Sequence, residues 1–262
     1  MTKRNTPSTS KQVTLVMSAA LCVCALILWE WLVRAKGISA LVLPAPSSIA
    51  LTLWQGLRSG YLWPHMLQTL AEWAAGLSLG CVLGFVGGLV LGEVALVRQI
   101  ALPYIVTSQV VPKLALAPLF IVWFGFGALP TVVMTALICF FPLLENTMTA
   151  VSQADAQQLD LFRMLRASRW ATLVQLKLPQ GLPTVLTGLR MAVVLAWVGA
   201  VVGEFTTASK GLGALIIAAQ GSMDTALMFA VLVLITALGW VSYQACGVFE
   251  RFVLRQTGFL KR

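Results

Sequence analysis

Ala154-Asp155-Ala156-Gln157-Gln158-Leu159-Asp160-Leu161-Phe162-Arg163-Met164-Leu165-Arg166-Ala167-Ser168-Arg169-Trp170 is a polar island in an apolar chain, closed downstream by Leu178-Pro179-Gln180-Gly181-Leu182-Pro183. Residues Gln157 to Arg166 are spaced for a short helix, with Leu159, Phe162, Met164 and Leu165 on a broad apolar face. Ser168 is placed to cap a second helix, on which Trp170, Leu173, Val174 and Leu178 fall at i, i+3, i+4 and i+8. Pro179 is expected to stop that helix, and Pro183 suits the first turn of the next apolar run. The expected product is an exposed apolar knob on a rigid stem, the shape a groove on another protein can grip. The competing reading is an amphipathic helix resting on a lipid surface.

The runs on either side decide the class. Of 262 residues, 59% are hydrophobic and only 10% are charged, and the mean hydropathy is +0.89. Soluble domains carry about 25% charged residues, so this chain cannot cover a water-exposed surface. The net charge of +9 does not point to nucleic acid, because the basic residues flank apolar runs and form no dense patch. Cys22, Cys24, Cys81, Cys139 and Cys246 all lie in apolar runs, and the single histidine, His65, shares no metal-ligand spacing with them. They read as small buried hydrophobes.

Six runs reach the length of about 20 residues that a membrane helix needs. They are 14–34, 68–95, 104–126, 129–150, 183–205 and 226–249. The first is too long for a signal peptide and is followed by Trp29, Trp31 and Arg34 instead of a small-residue cleavage site. It is expected to remain as an uncleaved span. With the N-terminus in the cytoplasm, the inner segments hold twelve basic residues: Lys3, Arg4, Lys11, Arg98, Arg163, Arg166, Arg169, Lys177, Arg251, Arg255, Lys261 and Arg262. The outer segments hold four: Arg34, Lys36, Arg58 and Lys210. That bias predicts both termini inside, with the 154–180 loop in the cytoplasm. The segment 37–67 carries Pro44-Ala45-Pro46-Ser47-Ser48. Ser47 or Ser48 is expected to cap a short helix running through Leu57 at the outer interface.

Inside the spans three features stand out. Gly76, Gly80, Gly84, Gly88 and Gly92 recur every fourth residue, a smooth ridge against which another backbone can pack closely, within the subunit or across a dimer. The third span holds Pro103, Pro112, Pro118 and Pro130 around Lys113, Trp123, Phe124, Gly125, Phe126 and Gly127. A span so broken is a substrate-pathway candidate, a kinked structural helix, or an interfacial turn. Ionisable groups at depth are costly and usually face a bundle interior. Glu145, Arg190 and Glu204 are the candidates, with Arg190 alternatively snorkelling to the cytoplasmic face. Glu30, Glu72 and Glu93 lie nearer span ends and are expected to be hydrated. The chain has no Walker A run, no G-x-G-x-x-G strand–helix unit and no metal cluster. It carries no recognisable means of hydrolysing ATP and no catalytic constellation.

The loop resembles the E-A-A-x-x-x-G signature of ABC importer permeases, which is followed at a fixed distance by Leu-Pro. The matching positions are Asp160, Leu161, Phe162 and Arg166, with Leu178-Pro179 downstream; aspartate stands for glutamate, Leu161 and Phe162 for two alanines, and Arg166 for the glycine. The surrounding frame is closer: Arg166-Ala-Ser-Arg-Trp170, Leu182-Pro183 and Thr187-Gly188-Leu189-Arg190. Pro112-Lys-Leu-Ala-Leu-Ala-Pro118, Val122-Trp-Phe-Gly-Phe-Gly127, Phe140-Phe-Pro142 and Gly211-Leu-Gly213 are similar to the nitrate, sulfonate and taurine subgroup, related to thiamine-precursor and riboflavin permeases.

That resemblance implies an all-α integral membrane protein of about six transmembrane helices with the type I ABC importer permease fold. It divides the chain into a cytoplasmic N-terminus with the first helix (1–36), an outer-face segment (37–67), a permease core (68–250) containing the coupling loop, and a cytoplasmic tail (251–262). It implies a multi-pass subunit of the bacterial inner membrane and a homodimer with ABC ATPase subunits, which bind the ATP and Mg; this chain would carry no cofactor. An extracytoplasmic binding protein would deliver a small solute. The expected ATPase-coupling residues are Leu159, Asp160, Leu161, Phe162, Met164, Leu165 and Arg166. Trp123, Phe124, Glu145, Arg190 and Glu204 are the expected substrate-pathway residues. The rival classes are an ion-gradient-driven transporter or channel, for which Glu145 is the one deep carboxylate expected, and a membrane anchor for another enzyme.

Overall fold

Gly76, Gly80, Gly84, Gly88 and Gly92 line one face of α3 (Leu62–Glu93), and α6 (Ala128–Ser152) fills that face. A Cβ on Gly84 would stand 2.5 Å from the Phe140 carbonyl oxygen, and one on Gly88 2.6 Å from that of Leu144. The two backbones are therefore in contact from Gly76 to Gly92, and the partner of the ridge lies within the subunit. A second ridge meets α6 on an adjacent face, with Thr135 touched from both. Gly181, Gly188, Gly199 and Gly203 belong to α9 (Leu178–Thr207), and a Cβ on them would press on Ala150, Asn146, Thr135 and Thr131 of α6. α6 has no glycine of its own. It is the textured rod between two smooth faces, the arrangement expected where dispersion replaces the hydrophobic drive.

The computed structural model describes residues 9–207 and 209–256, and no strand occurs among them. Among the described residues, five helices are long and apolar enough to cross a bilayer: α1 (Thr9–Ala35), α3, α6, α9 with its lead-in, and α11 (Thr225–Gln256). The sixth expected span is a bent pair. α4 (Ala95–Val110) starts directly after α3, a 3₁₀ turn follows at Lys113–Leu116, and α5 (Ala117–Phe124) leaves at 88°. Pro112 sits at the break, where its missing N–H ends the ladder. α5 stops at Gly125 and Gly127, whose φ of +77° and +132° exclude a side chain.

The short elements tie the bundle at its ends. α2 (Pro46–Arg58) begins with proline and has no side-chain cap. Ser47, expected as that cap, instead bonds back to α1: its N–H and hydroxyl donate to Glu30 at 3.0 and 2.8 Å. Elsewhere α1 is largely exposed, with Met17, Leu21, Ile27 and Trp31 open to its surroundings. α10 (Leu212–Gly221) packs Leu212, Leu215 and Ile216 against Leu62 and Met66 of α3 and Val231 and Leu234 of α11.

Pro179 does not stop the helix that precedes it. α8 (Arg169–Thr172) runs through a π turn at Leu173–Lys177 into α9, giving one continuous element over Arg169–Thr206. The Leu178 N–H reaches back five residues to the Leu173 carbonyl. This widened turn lies just where the proline removes a donor, so the ladder absorbs the defect without breaking.

Candidate coupling surface and membrane-embedded polar residues

The 154–180 segment is a capped helix on a braced stem. Asp155 Oδ1 accepts from the Gln158 N–H at 3.1 Å and starts α7 (Ala156–Met164). Ser168 Oγ accepts from the Ala171 N–H at 3.1 Å and starts α8, as its position in the sequence predicts. Between them the Ala167 N–H returns to the Phe162 carbonyl and the Arg166 N–H to that of Arg163, both at 3.0 Å. That paired closure puts Arg166 at φ +52°, a left-handed position usually filled by glycine. The glycine of the resembled signature falls on Arg166, and the geometry shows what a glycine does there.

The stem is fixed to the bundle at two points. Lys177 Nζ donates to Glu93 Oε1 at 2.6 Å, joining the π turn to the last residue of α3. Gln180 donates to Gln158, joining α9 to α7. The expected apolar face of α7 divides. Leu159 and Phe162 turn partly inward; Leu159 lines a small cavity with Glu93, Arg169 and Lys177. Leu161, Met164 and Leu165 face out, with Met164 77% exposed, and Trp170 beside them is 72% exposed. Asp160 pairs with Arg163 at 2.8 Å on the surface, a contact worth little by itself.

A family model described as "binding-protein-dependent transport system inner membrane component" matches residues 76–255, from the glycine ridge to the end of α11. The chain belongs to this family. It is a membrane permease subunit of an ABC transporter, not an enzyme. It is 35% identical over 88% of its length to the riboflavin transport system permease protein RibX of Chloroflexus aurantiacus, covering 86% of that protein. It is 33% identical to the formylaminopyrimidine transport permease protein ThiX of Halalkalibacterium halodurans, over 87% of this chain and 91% of that one. The putative aliphatic sulfonates permease SsuC of Bacillus subtilis is 31% identical, over 87% and 83%. A chain of the MetNI methionine ABC transporter in inward-facing conformations superposes with a TM-score of 0.62 at 19% identity, over 73% of this chain and 94% of that one. The shared fold is that of an ABC permease.

The permease does not gather the five expected pathway residues into one cavity. Trp123 and Phe124 meet edge to face at 6.3 Å beside Phe120 at the end of α5, and both are exposed. Glu145 is exposed on α6, on the side away from both glycine faces. Arg190 of α9 lies 4.1 Å from the ring centroid of Tyr243 and 3.4 Å from Glu250 of α11. These three line a groove of about 490 Å³ with Thr187, Met191, Val194 and Leu195. Glu204 is at the other end of α9, 1% exposed.

Glu72 overturns an expectation. It is not hydrated at a span end but 2% exposed, inside the bundle beside Glu204. Its spacing offered no sign of this. The one local signal was Gly211-Leu-Gly213, whose two glycines fold around the Glu204 carboxyl.

Proposed function

We propose that this permease is the membrane half of an ATP-driven importer, working as a homodimer with two ABC ATPase subunits and an extracytoplasmic binding protein. The 154–180 segment is the ATPase docking surface and faces the cytoplasm. The observation that carries this is the exposed apolar knob of Leu161, Met164, Leu165 and Trp170, held on a stem braced at Lys177–Glu93 and Gln180–Gln158. Contiguous apolar surface outside a bilayer calls for a partner, and the braces pass a push on α7 directly into α3 and α9. ATP-driven closure of the ATPase pair moves both loops, and differential stabilisation of two bundle arrangements completes the cycle.

The solute is a small heterocycle of the riboflavin or formylaminopyrimidine kind, supported by the names of the relatives at 35% and 33% identity. A sulfonate is the second reading, supported by the relative at 31%. Within the bundle, Arg190 is already engaged by Glu250, which favours an uncharged ring system over a free anion. The test pairs co-purification with uptake. Met164→Asp and Leu165→Asp in tagged permease should weaken ATPase association about 30-fold, the equivalent of roughly 2 kcal/mol for a lost hot-spot anchor. Both variants should still insert. Undiminished association of both would remove the docking assignment. Reconstituted complexes offered labelled riboflavin, formylaminopyrimidine or taurine would decide the solute.

A further inference from the structure

At the end of the bundle away from α7, two glutamates meet without a cation. Glu72 lies ten residues into α3, about 15 Å from its start by helix rise, and Glu204 is near the end of α9. They are 2% and 1% exposed. The two carboxyl groups are within hydrogen-bonding reach of each other. No ion pair among the described residues includes either one. Lys210, the nearest cation along the chain, is exposed. Two full negative charges in contact at membrane depth, with no counter-ion, are not sustainable.

The donors show how the cluster is solved. Gln68 Nε2 donates to Glu72 Oε1 at 2.6 Å, and the Gly213 N–H to Glu204 Oε2 at 2.5 Å. The hydroxyls of Thr131 and Thr69 flank the pair. One oxygen on each side, Glu72 Oε2 and Glu204 Oε1, is buried with no N–H or O–H to bond it. A carboxylate only accepts; a carboxylic acid carries one donor. A hydrogen bond between two carboxyl groups therefore needs a proton on one of them, and that proton satisfies both orphaned oxygens at once.

We infer that Glu72 and Glu204 form a proton-binding site, a carboxylic acid hydrogen-bonded to a carboxylate, that bolts the turn before α10 to α3 and α9. The turn is built around it. A Cβ on Gly213 would meet Glu204 Cβ at 2.9 Å, and Gly211, at φ +132°, closes on the same carboxyl group. The Leu212 N–H donates to Thr69 Oγ1 at 2.8 Å, and the Gly211 N–H to His65 Nδ1 at 3.2 Å. Every backbone donor of Gly211–Gly213 thus goes to this cluster or its rim. The inference is independent of the transport reading, which adds only that this end faces outward.

The test uses the purified full-length permease complex. Its infrared spectrum at neutral pH should hold a protonated-carboxyl carbonyl band that shifts in D₂O. The band should vanish in Glu72→Gln and in Glu204→Gln as it does in the double variant, because the pair holds one proton and the amide takes over its role. Hydrogen exchange across residues 211–216 should stay slow in both single Gln variants, whose amide N–H replaces the O–H. It should speed up at least tenfold in Glu72→Leu and Glu204→Leu, which leave a partner unbonded. Three results would overturn the site: no such band in the native complex, a band unchanged in the double variant, or faster exchange in Gln and Leu variants alike. Stabilisation of the native complex by sodium chloride over choline chloride, lost in the Gln variants, would also overturn it, because the pair would then hold a cation.

Discussion

Arg166 carries a left-handed backbone at φ +52° because the closing turn of α7 needs one there. For a residue with a Cβ that conformation costs about 1–2 kcal/mol. Glycine relieves it, offset by up to about 1 kcal/mol of extra freedom in the unfolded chain. Arg166→Gly should therefore tighten the loop by up to about 1 kcal/mol, slowing exchange of the Ala167 amide several-fold in the isolated permease. Arg166→Val should do the reverse, since a β-branched residue tolerates this region least. Equal exchange in both variants would show that the turn carries no strain. Met223 at φ +58°, closing α10 with the same pair of bonds, is the internal control. Met223→Gly should behave alike although it lies far from the knob.

At the scale of elements, the bundle depends on how near α3 and α9 come to α6. Gly84→Ala puts a methyl group against the Phe140 carbonyl oxygen, a backbone atom that cannot rotate away. The expected loss is about 1–3 kcal/mol, the usual cost of overpacking, read as a lower melting temperature in detergent and a smaller monodisperse peak. Gly87→Ala is the matched control. Its Cβ would meet only Leu144 Cδ1 at 3.2 Å, the free end of a flexible side chain, and it should be tolerated. If both variants melt alike, close packing is not what holds α3 to α6. The fourfold spacing of the α3 glycines was legible in the sequence. The α9 face was not, because Gly181, Gly188, Gly199 and Gly203 are spaced by seven, eleven and four. Their alignment emerges only once α6 lies across them.

For the whole molecule, the basic residues predict which end faces the cytoplasm. A single cysteine at Gln157, in a variant lacking the five native cysteines, should react with an impermeant maleimide only after the membrane is opened. Gln157 is exposed, so protection in intact cells would come from the bilayer. Labelling from outside would reverse the orientation of every helix and place the knob where no ATPase works.

Hydropathy and capping are local properties, so the class, the places of five long spans, and the loop with its Ser168 cap could be read along the chain. It also held the family's frame, since Leu178-Pro179 and the glycine-like position of Arg166 are read along the chain. The 88° break at Pro112 was half visible: the prolines announced an interruption but not its angle. The packed bundle alone set α7 so that Leu159 and Phe162 turn partly inward and Met164 and Leu165 outward. It alone carried the helix through Pro179, by way of a π turn. It alone brought Glu72 to Glu204 across 132 residues of chain. A carboxylate's surroundings are set by which helices cross beside it, and no periodicity in one strand of sequence records the partner it meets on another.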